Sequence, residues 1–291
     1  MQERDITLRG RRFHLREWGS GADHPTVLML HGFPEFGGAW EGLAERLSDR
    51  FHCVAPDQRG FGQSDAPAEV EAYRITELVG DMAALIETLG GPLIVIGHDW
   101  GAAVAYGLAT MRPDLVERLI ILNGVHPGPF QKALATGGAQ AEASQYMLYL
   151  RRDGSEERLA ADNYAKLLAL FAEHMDFSWM TPELRERYIA EWSRPGRLRG
   201  MVNWYRASGV KIPAPGEVLD LPDLPVDKFH VPMPHLLIWG PGDTALLPEA
   251  TEGLEAYCAD LTRIEIPGAD HWVIHQETDA VAGHIRDWLQ R

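Results

Sequence analysis

Ile94-Val95-Ile96-Gly97-His98-Asp99-Trp100-Gly101-Ala102-Ala103-Val104-Ala105 joins an apolar, β-branched run to a Gly-x-Asp-x-Gly turn and then to a stretch of small apolar residues. The run reads as a buried strand and the stretch after the turn as a helix. Gly97 and Gly101 lack the Cβ atoms that would hold strand and helix apart. A tight strand-to-helix turn of this layout, the nucleophile elbow, lifts one side chain above a sheet, and that side chain is usually serine. Here it is Asp99.

The change of residue changes the chemistry. Serine attacking an sp³ carbon would leave an ether, which an acyl-transfer site cannot cleave. A carboxylate attacking the same carbon leaves an ester, which water can hydrolyse. An aspartate at this turn therefore points to a strained ring or a leaving group on sp³ carbon: epoxides or alkyl halides. The plainer reading is a structural aspartate, such as a helix N-cap. Gly-x-Asp-x-Gly alone would not decide between them, so the surrounding chain has to.

Upstream, Ile6 to Gly10 and Arg12 to Trp18 suggest two strands joined at Gly10-Arg11. Pro25 to Leu30 is a continuous apolar strand of the kind buried on both faces. A helix is expected from Gly38 to Leu47, a strand from Phe51 to Ala55, and a helix from Ile75 to Leu89 with Leu78, Met82, Leu85, Ile86 and Leu89 on one face. Downstream, Arg118 to Asn123 reads as another strand. Alternating strands and helices predict a mostly parallel, doubly wound sheet.

From Pro127 to Phe229 no strand signal appears. Helices are expected from Ala139 to Arg152, from an N-cap at Ser155 as far as His174, from Thr181-Pro182-Glu183 onward, and from Leu198 to Ser208 with Gly209 ending it. Residues 213–225 are proline-rich and irregular. The alternation then resumes: a strand from His235 to Trp239, a helix near 248–259, a strand from Thr262 to Ile266 and a helix near 279–289. The expected organisation is a core domain of residues 1–126 and 230–291 with an inserted all-helical cap of residues 127–229.

The chain has 291 residues, 45% hydrophobic and 24% charged, with a net charge of −15 from 27 basic and 42 acidic residues. That is an ordinary globular composition, and the acidic balance argues against nucleic acid or an anionic membrane as partner. Two cysteines, Cys53 and Cys258, imply no disulfide framework. The charged start and the lack of a long apolar run suggest neither a secretory signal nor a membrane span, which makes a cytoplasmic location the default expectation. No internal repeat or low-complexity tract is seen.

Three further constellations follow predicted strands, where open parallel sheets bind ligands. Asp243, in Trp239-Gly240-Pro241-Gly242-Asp243, is placed to orient a histidine, although Pro-Gly-Asp is also good turn chemistry. A rival acid position lies at the end of the strand that closes on Asn123, but asparagine carries no charge. His271, in Pro267-Gly268-Ala269-Asp270-His271-Trp272, alone among 12 histidines lies in the loop after the final strand. It completes the chain order nucleophile, acid, base. His275 is its rival, and Asp270 would either raise the pKa of His271 or face solvent. The His31-Gly32-Phe33-Pro34 loop offers the Phe33 N–H, which with the Trp100 N–H would form an oxyanion hole. His31 and His98 read as structural. The Phe33–Pro34 bond is a candidate for cis geometry. Asp57-x-Arg59-Gly60-x-Gly62-x-Ser64-Asp65 lacks the lysine and spacing of a phosphate loop and reads as packing beside the site.

Together His31 to Glu35, the Asp57–Asp65 loop, Gly97 to Gly101, Asp243 and Gly268-x-x-His271-Trp272 resemble the α/β-hydrolase fold. More narrowly, they resemble its epoxide hydrolase and haloalkane dehalogenase branch, which uses an aspartate nucleophile. The resemblance covers nearly the whole chain. It implies a mostly parallel eight-stranded sheet flanked by helices with a helical cap. It also implies two cap tyrosines whose phenols donate to the epoxide oxygen. One belongs to an Asn-Trp-Tyr-Arg run, here Asn203-Trp204-Tyr205-Arg206, and the other to the first cap helix, here Gln145-Tyr146-Met147-Leu148-Tyr149. The implied pair is Tyr205 and Tyr146, with Tyr149 as the alternative to Tyr146. Many haloalkane dehalogenases carry asparagine at the position of Phe33, and the related fluoroacetate dehalogenases usually carry arginine at the position of Trp100.

The resulting expectation is an epoxide hydrolase with Asp99, His271 and Asp243 as triad, Tyr146 and Tyr205 as acids, and the N–H groups of Phe33 and Trp100 as oxyanion hole. Phe33, Trp100, Trp204 and Met147 are the expected substrate contacts, and Phe171, Phe177 and Trp179 are further possible lining. The substrate would be a small apolar epoxide, with no metal or organic cofactor, no nucleic acid and no membrane. The alternative is a haloalkane dehalogenase using the same triad. Oligomeric state is left open.

Overall fold

The computed structural model describes residues 1–19, 24–172 and 175–291, and of Phe171 only the backbone. The expected end of a helix at His174 and the expected lining role of Phe171 lie outside the described residues. Eight strands form one sheet: β1 (Gln2–Leu8), β2 (Arg11–Trp18), β3 (Thr26–Leu30), β4 (His52–Pro56), β5 (Leu93–His98), β6 (Val116–Leu122), β7 (Val231–Trp239) and β8 (Cys258–Glu265). Their order is β1-β2-β4-β3-β5-β6-β7-β8. β1 and β2 pair antiparallel, as do β2 and β4, and every later pairing is parallel. The chain winds from β3 outward to β4, then returns to place β5 on the other side of β3. That reversal opens a crevice at the C-terminal ends of β3 and β5, the usual ligand position in such sheets.

Helices α1 (Glu41–Leu47), α2 (Ile75–Leu89) and α3 (Trp100–Met111) follow β3, β4 and β5. Between β6 and β7 lie α4 (Pro127–Ala135), α5 (Ala139–Ala143), α6 (Gln145–Arg151), α7 (Ser155–Ala172), α8 (Pro182–Trp192) and α9 (Arg197–Ala207), followed at the C-terminus by α10 (Val273–Gln276) and α11 (Thr278–Leu289). Alternation along the strands divides the core. Leu28, Leu30 and Val95 pack with α2, α3 and the helical insertion. Val27, Met29, Ile94 and Ile96 pack with α1 and α11. Both faces are covered, which is why the central strands are continuously apolar.

Several expectations need correction. The first hairpin turns at Arg9-Gly10, with φ of 50° and 77°, rather than at Gly10-Arg11, and β1 begins at Gln2. A two-residue loop in this conformation matches the twist of its strands. Residues near 248–259 form two short 3₁₀ turns, Pro248–Thr251 and Leu254–Tyr257, and β8 starts at Cys258. Helix α4 was not expected; its N-cap is a histidine, His126, whose ring accepts from Gly128 N–H. The expected helix from Ala139 to Arg152 divides at Ser144, where Met147 N–H bonds back to Ser144 O. Ser155 does not cap α7; its hydroxyl donates to Leu150 O, and the helix is interrupted by non-helical backbone at Ala161 to Tyr164. Thr181 does cap α8, accepting from Leu184 N–H. Helix α9 ends at Ala207 through an extended Ser208, not through a left-handed Gly209.

Candidate active site

Asp99 sits between β5 and α3 with φ 50° and ψ −120°, a backbone conformation that non-glycine residues seldom adopt. Such a residue costs about 1–3 kcal/mol and persists only where its surroundings impose it. Those surroundings are glycines. A Cβ on Gly101 would lie 1.9 Å from Leu30 O, and one on Gly32 would lie 2.3 Å from the Asp99 Cβ. The turn therefore presses Asp99 against the loop that follows β3. Phe33 N–H donates to Asp99 Oδ1 at 2.7 Å, and the Phe33–Pro34 bond is cis.

The other carboxylate oxygen, Asp99 Oδ2, is 3.8 Å from His271 Nε2. The opposite ring nitrogen, His271 Nδ1, lies 2.8 Å from Asp243 Oδ2. The structure thus brings Asp99, His271 and Asp243 together from the ends of three different strands. Asp243 is itself held: its Oδ1 accepts from the N–H groups of Ala245 and Leu246, each at 2.9 Å. Asn123 Nδ2 donates to Asp243 Oδ2 at 3.0 Å and to Gly240 O at 3.1 Å, while Asn123 Oδ1 accepts from Gly240 N–H at 2.8 Å. Asn123 is the residue that sequence reasoning missed. It occupies the rival acid position and grips the acid instead of replacing it. Its place at the end of β6 was the available signal.

Burial works against a charged His271, but the charge of Asp243, its hydrogen bond, and the charges of Asp99 and Glu35 outweigh it and raise the imidazole to about 9. Burial also works against the Asp243 carboxylate; the His271 charge and the hydrogen bonds prevail and hold it below its ordinary value. Asp270 plays neither expected role. It is buried, accepts from Asp176 N–H at 2.7 Å and Trp272 N–H at 2.9 Å, and ties the last loop to the helical insertion.

His31 and His98 are structural, as expected. His31 Nδ1 faces Gly32 O, and its Nε2 accepts from Gln58 N–H. His98 lies between Glu35 Oε2 at 3.2 Å and His271 O at 2.8 Å. His275 is turned away from Asp99, with Nε2 2.6 Å from Glu35 Oε1 and its ring stacked on Trp179. Tyr188 OH donates to the same Glu35 oxygen, so one buried carboxylate links the β3 loop, the His271 loop and α8. The Asp57–Asp65 loop is packing as expected: Arg16 pairs with Asp57, and Arg59 O accepts from Trp204 Nε1–H at 2.9 Å.

Above Asp99 a cavity of about 570 Å³ opens between α3 and the insertion. Asp99, Trp100, Tyr146, Met147, Trp204 and Tyr205 line it. Tyr205 is fully buried, edge-on to Trp100 at 5.2 Å and to Tyr146 at 6.1 Å between ring centroids. Burial, then the charges nearby, Asp99 among them, push both phenols above their ordinary pKa. Tyr149 is not among the lining residues; its ring carries the Arg158 guanidinium at 5.6 Å. Phe33 contributes its amide rather than its ring, which is edge-on to Tyr205 at 5.0 Å and not part of the cavity wall. Phe177 and Trp179 face a separate small void with Trp272 and Tyr188. They lie on the far side of the His271 loop, so helix periodicity alone could not place them.

Residues 25–278 match the description of the α/β-hydrolase fold family. The chain belongs to that family. Among relatives of this α/β hydrolase, Epoxide hydrolase 1 of Caenorhabditis elegans is 33% identical over 99% of this chain and 70% of its own length. Mouse Epoxide hydrolase 4 is 31% identical over 97% and 77%. A solved structure of an epoxide hydrolase from hot-environment metagenomes superimposes with a TM-score of 0.90 at 37% identity, covering 99% of this chain and 98% of that one. An inhibitor complex of the Bacillus megaterium epoxide hydrolase gives 0.86 at 28% identity over 99% and 100%. These relatives place the α/β hydrolase in the epoxide hydrolase branch. Among its described residues no group of three His, Cys, Asp or Glu side chains could hold a metal ion, and no helix is long and apolar enough to cross a membrane.

Proposed function

We propose that this α/β hydrolase converts epoxides to vicinal diols through an ester on Asp99, with residues 127–229 acting as a cap that carries the acid groups. The observation that carries the reading is that Asp99, the buried Tyr205 and the partly buried Tyr146 line one apolar cavity. A ring-opening alkoxide is strongly basic, and a phenol of ordinary pKa about 10 can protonate it while staying neutral at pH 7. The raised pKa of both phenols keeps them in the donor form.

In the first step Asp99 Oδ2 attacks a ring carbon, the C–O bond of the epoxide breaks, and a phenol supplies the proton to the departing oxygen. Phe33 N–H holds Oδ1, which leaves Oδ2 toward the cavity and His271. In the second step neutral His271 takes a proton from water, and the hydroxide attacks the ester carbonyl carbon. Phe33 N–H and Trp100 N–H stabilise the oxyanion. Collapse breaks the acyl C–O bond; the proton of the newly added hydroxyl passes to the departing alkoxide, which returns the Asp99 carboxylate and releases the diol, and the proton on His271 is returned through solvent to the phenolate left by the first step.

Charge links the two steps. The Asp99 carboxylate is one of the groups that raise His271. Esterification neutralises it, so the base falls in pKa when it is required to accept a proton. Asp243 remains to stabilise the imidazolium that forms.

The test is the intact mass of a His271→Gln variant mixed with styrene oxide or with bromohexane. An adduct equal to the whole epoxide supports the reading. An alkyl adduct from bromohexane alone moves the activity to dehalogenation by the same triad, and no adduct from either removes Asp99 as nucleophile for these substrates.

A further inference from the structure

Tyr146 lies near the start of α6 and Tyr205 near the end of α9. Helix α9 is fastened to the loop that follows β4. Trp204 Nε1–H donates to Arg59 O at 2.9 Å, Asn203 Nδ2 donates to Ala68 O at 3.2 Å, and Arg197 Nη1 donates to Ser64 O. A Cβ on Gly200 would lie 2.8 Å from the Gly60 Cα, so helix and loop meet backbone to backbone. Helix α6 has no such fastening. Among the described residues none of its side chains hydrogen-bonds to residues 1–126 or 230–291. The insertion reaches that part of the chain one helix earlier, where Gln140 donates to Ala245 O and accepts from Leu247 N–H.

The far end of α6 is held by an exchange of arginines. Arg151, its last residue, donates through Nε to Tyr205 O at 3.0 Å and through Nη2 to Val210 O at 2.9 Å. Arg206, in the last turn of α9, donates through Nη2 to Arg152 O at 3.0 Å and to Glu156 Oε2 at 2.6 Å. Each arginine takes a carbonyl at the C-terminal end of the other helix. Two helix C-termini brought together repel, because each carries a partial negative charge, and a guanidinium at each end offsets that. The planar fork fixes direction as well as distance. Burial lowers the Arg151 pKa, and among the described residues no carboxylate offsets it. Its partners are carbonyls alone, which suits a geometric role.

We propose that Arg151 and Arg206 are positioning residues, a reciprocal clasp that sets Tyr146 against Tyr205 so that both phenols converge on one epoxide oxygen. The assignment rests on the roles proposed above for the two phenols and Asp99. Neither guanidinium lines the cavity, so neither meets the substrate. Two phenols that donate to one oxygen must be held to about 0.5 Å, and a misplacement of about 1 Å can cost on the order of 10²-fold. Tyr205 is set from the loop after β4. Tyr146 takes its place relative to Tyr205 through Arg151, whose Nε–H holds the carbonyl of Tyr205 itself.

The test is a double-mutant cycle with styrene oxide, read by stopped-flow tryptophan fluorescence. Arg151→Met should slow alkyl-enzyme formation about tenfold and change hydrolysis of the ester less than about twofold. In a Tyr146→Phe background the same change should cost less than about twofold, because the group it places is gone. Arg206→Met should follow the same pattern. A side chain that served only folding would cost the same in both backgrounds. Arg151→Lys keeps the charge and loses the fork; it should show the pattern at smaller size, and it decides the matter if the methionine variant does not fold. Equal falls in both backgrounds for either arginine, or equal slowing of both steps, overturn the clasp. Fluorotyrosine NMR gives a decision without turnover. The resonance that disappears in Tyr146→Phe should shift or broaden in Arg151→Met, while that of Tyr73, whose hydroxyl donates to Pro67 O, should stay in place. An unmoved Tyr146 resonance overturns the clasp. A moved one in a protein that forms no alkyl-enzyme upholds the clasp, and the reading of Asp99 is then what fails.

Discussion

Asn123 Nδ2 donates to Asp243 Oδ2 at 3.0 Å, so the proposed triad acid is gripped by a residue at the end of a neighbouring strand. Asn123→Asp would set a second carboxylate beside Asp243. Added negative charge favours the imidazolium of His271, and the proposed base is the neutral ring, so the acidic limb of the pH–rate profile for ester hydrolysis should move to higher pH. Asn123→Leu removes the donor and adds no charge; it should lower kcat about tenfold with a much smaller shift in the profile. Identical profiles for the two variants would show that Asn123 does not act through the acid.

His271 should titrate in two environments. In the resting protein it is raised to about 9. Its pairing therefore contributes stability that is fully present below its ordinary pKa of about 6.5 and is lost as pH rises through about 9. An Asp99→Asn variant mimics the neutral ester, so its His271 should titrate at lower pH. Imidazole NMR of the two proteins measures the difference directly.

Hydrolysis of the ester at the carbonyl carbon places an oxygen from water in the protein. One turnover in heavy-oxygen water should therefore label Asp99 rather than the diol. Peptide mass spectrometry locates the label, and a labelled diol with unlabelled Asp99 would point to direct attack of water on the ring.

The phenols of Tyr146 and Tyr205 lie on different helices of the insertion. Either change to Phe should lower the rate of alkyl-enzyme formation about 10- to 100-fold, and the double change should approach the 10²–10⁴-fold range of a lost general acid. Hydrolysis of a preformed ester should be slowed far less. Tyr149→Phe, outside the cavity, is the comparison, and stopped-flow tryptophan fluorescence separates the two steps.

His126 bridges the two points where the chain passes between sheet and insertion. Its Nδ1 accepts from Gly128 N–H, and its Nε2–H donates to Phe229 O. The bond from Gly128 N–H requires the neutral ring. Burial lowers His126 to about 4 and His235 to about 3. Stability from these groups is present above about 6.5, their ordinary pKa, and is lost progressively as pH falls toward 4. His126→Ala should cost about 1–3 kcal/mol and flatten part of the acid-side fall in Tm. Thermal melts from pH 4 to 8 provide the check.

The parts of the fold that were legible in the sequence share one property: local pattern and local geometry agree. Gly97, Asp99 and Gly101 are close in sequence and close in space, and so are the Phe33 amide and its loop. That Asp99, Asp243 and His271 come together was legible because each follows a strand. What escaped was set by distant partners. The role of Asn123 depends on Gly240 and Asp243, more than a hundred positions away. Asp270 looks solvent-facing beside a glycine loop, yet its partner, Asp176, comes from the insertion. Phe177 and Trp179 carry the apolarity of a lining residue, but the stack of Trp179 on His275 turns them to another wall. Helix α7 reads as one helix by composition, and its interruption at Asp162 to Tyr164 has no turn residue in the usual glycine or proline form to announce it.

Asp99, Asp243 and His271 stand at strand ends, whereas Tyr146 and Tyr205 stand on helices inserted between two strands. On the proposed mechanism nucleophile and proton donor stand on separate pieces of chain, so replacing the insertion would change the bond that is activated for cleavage and leave the ester-hydrolysing residues in place.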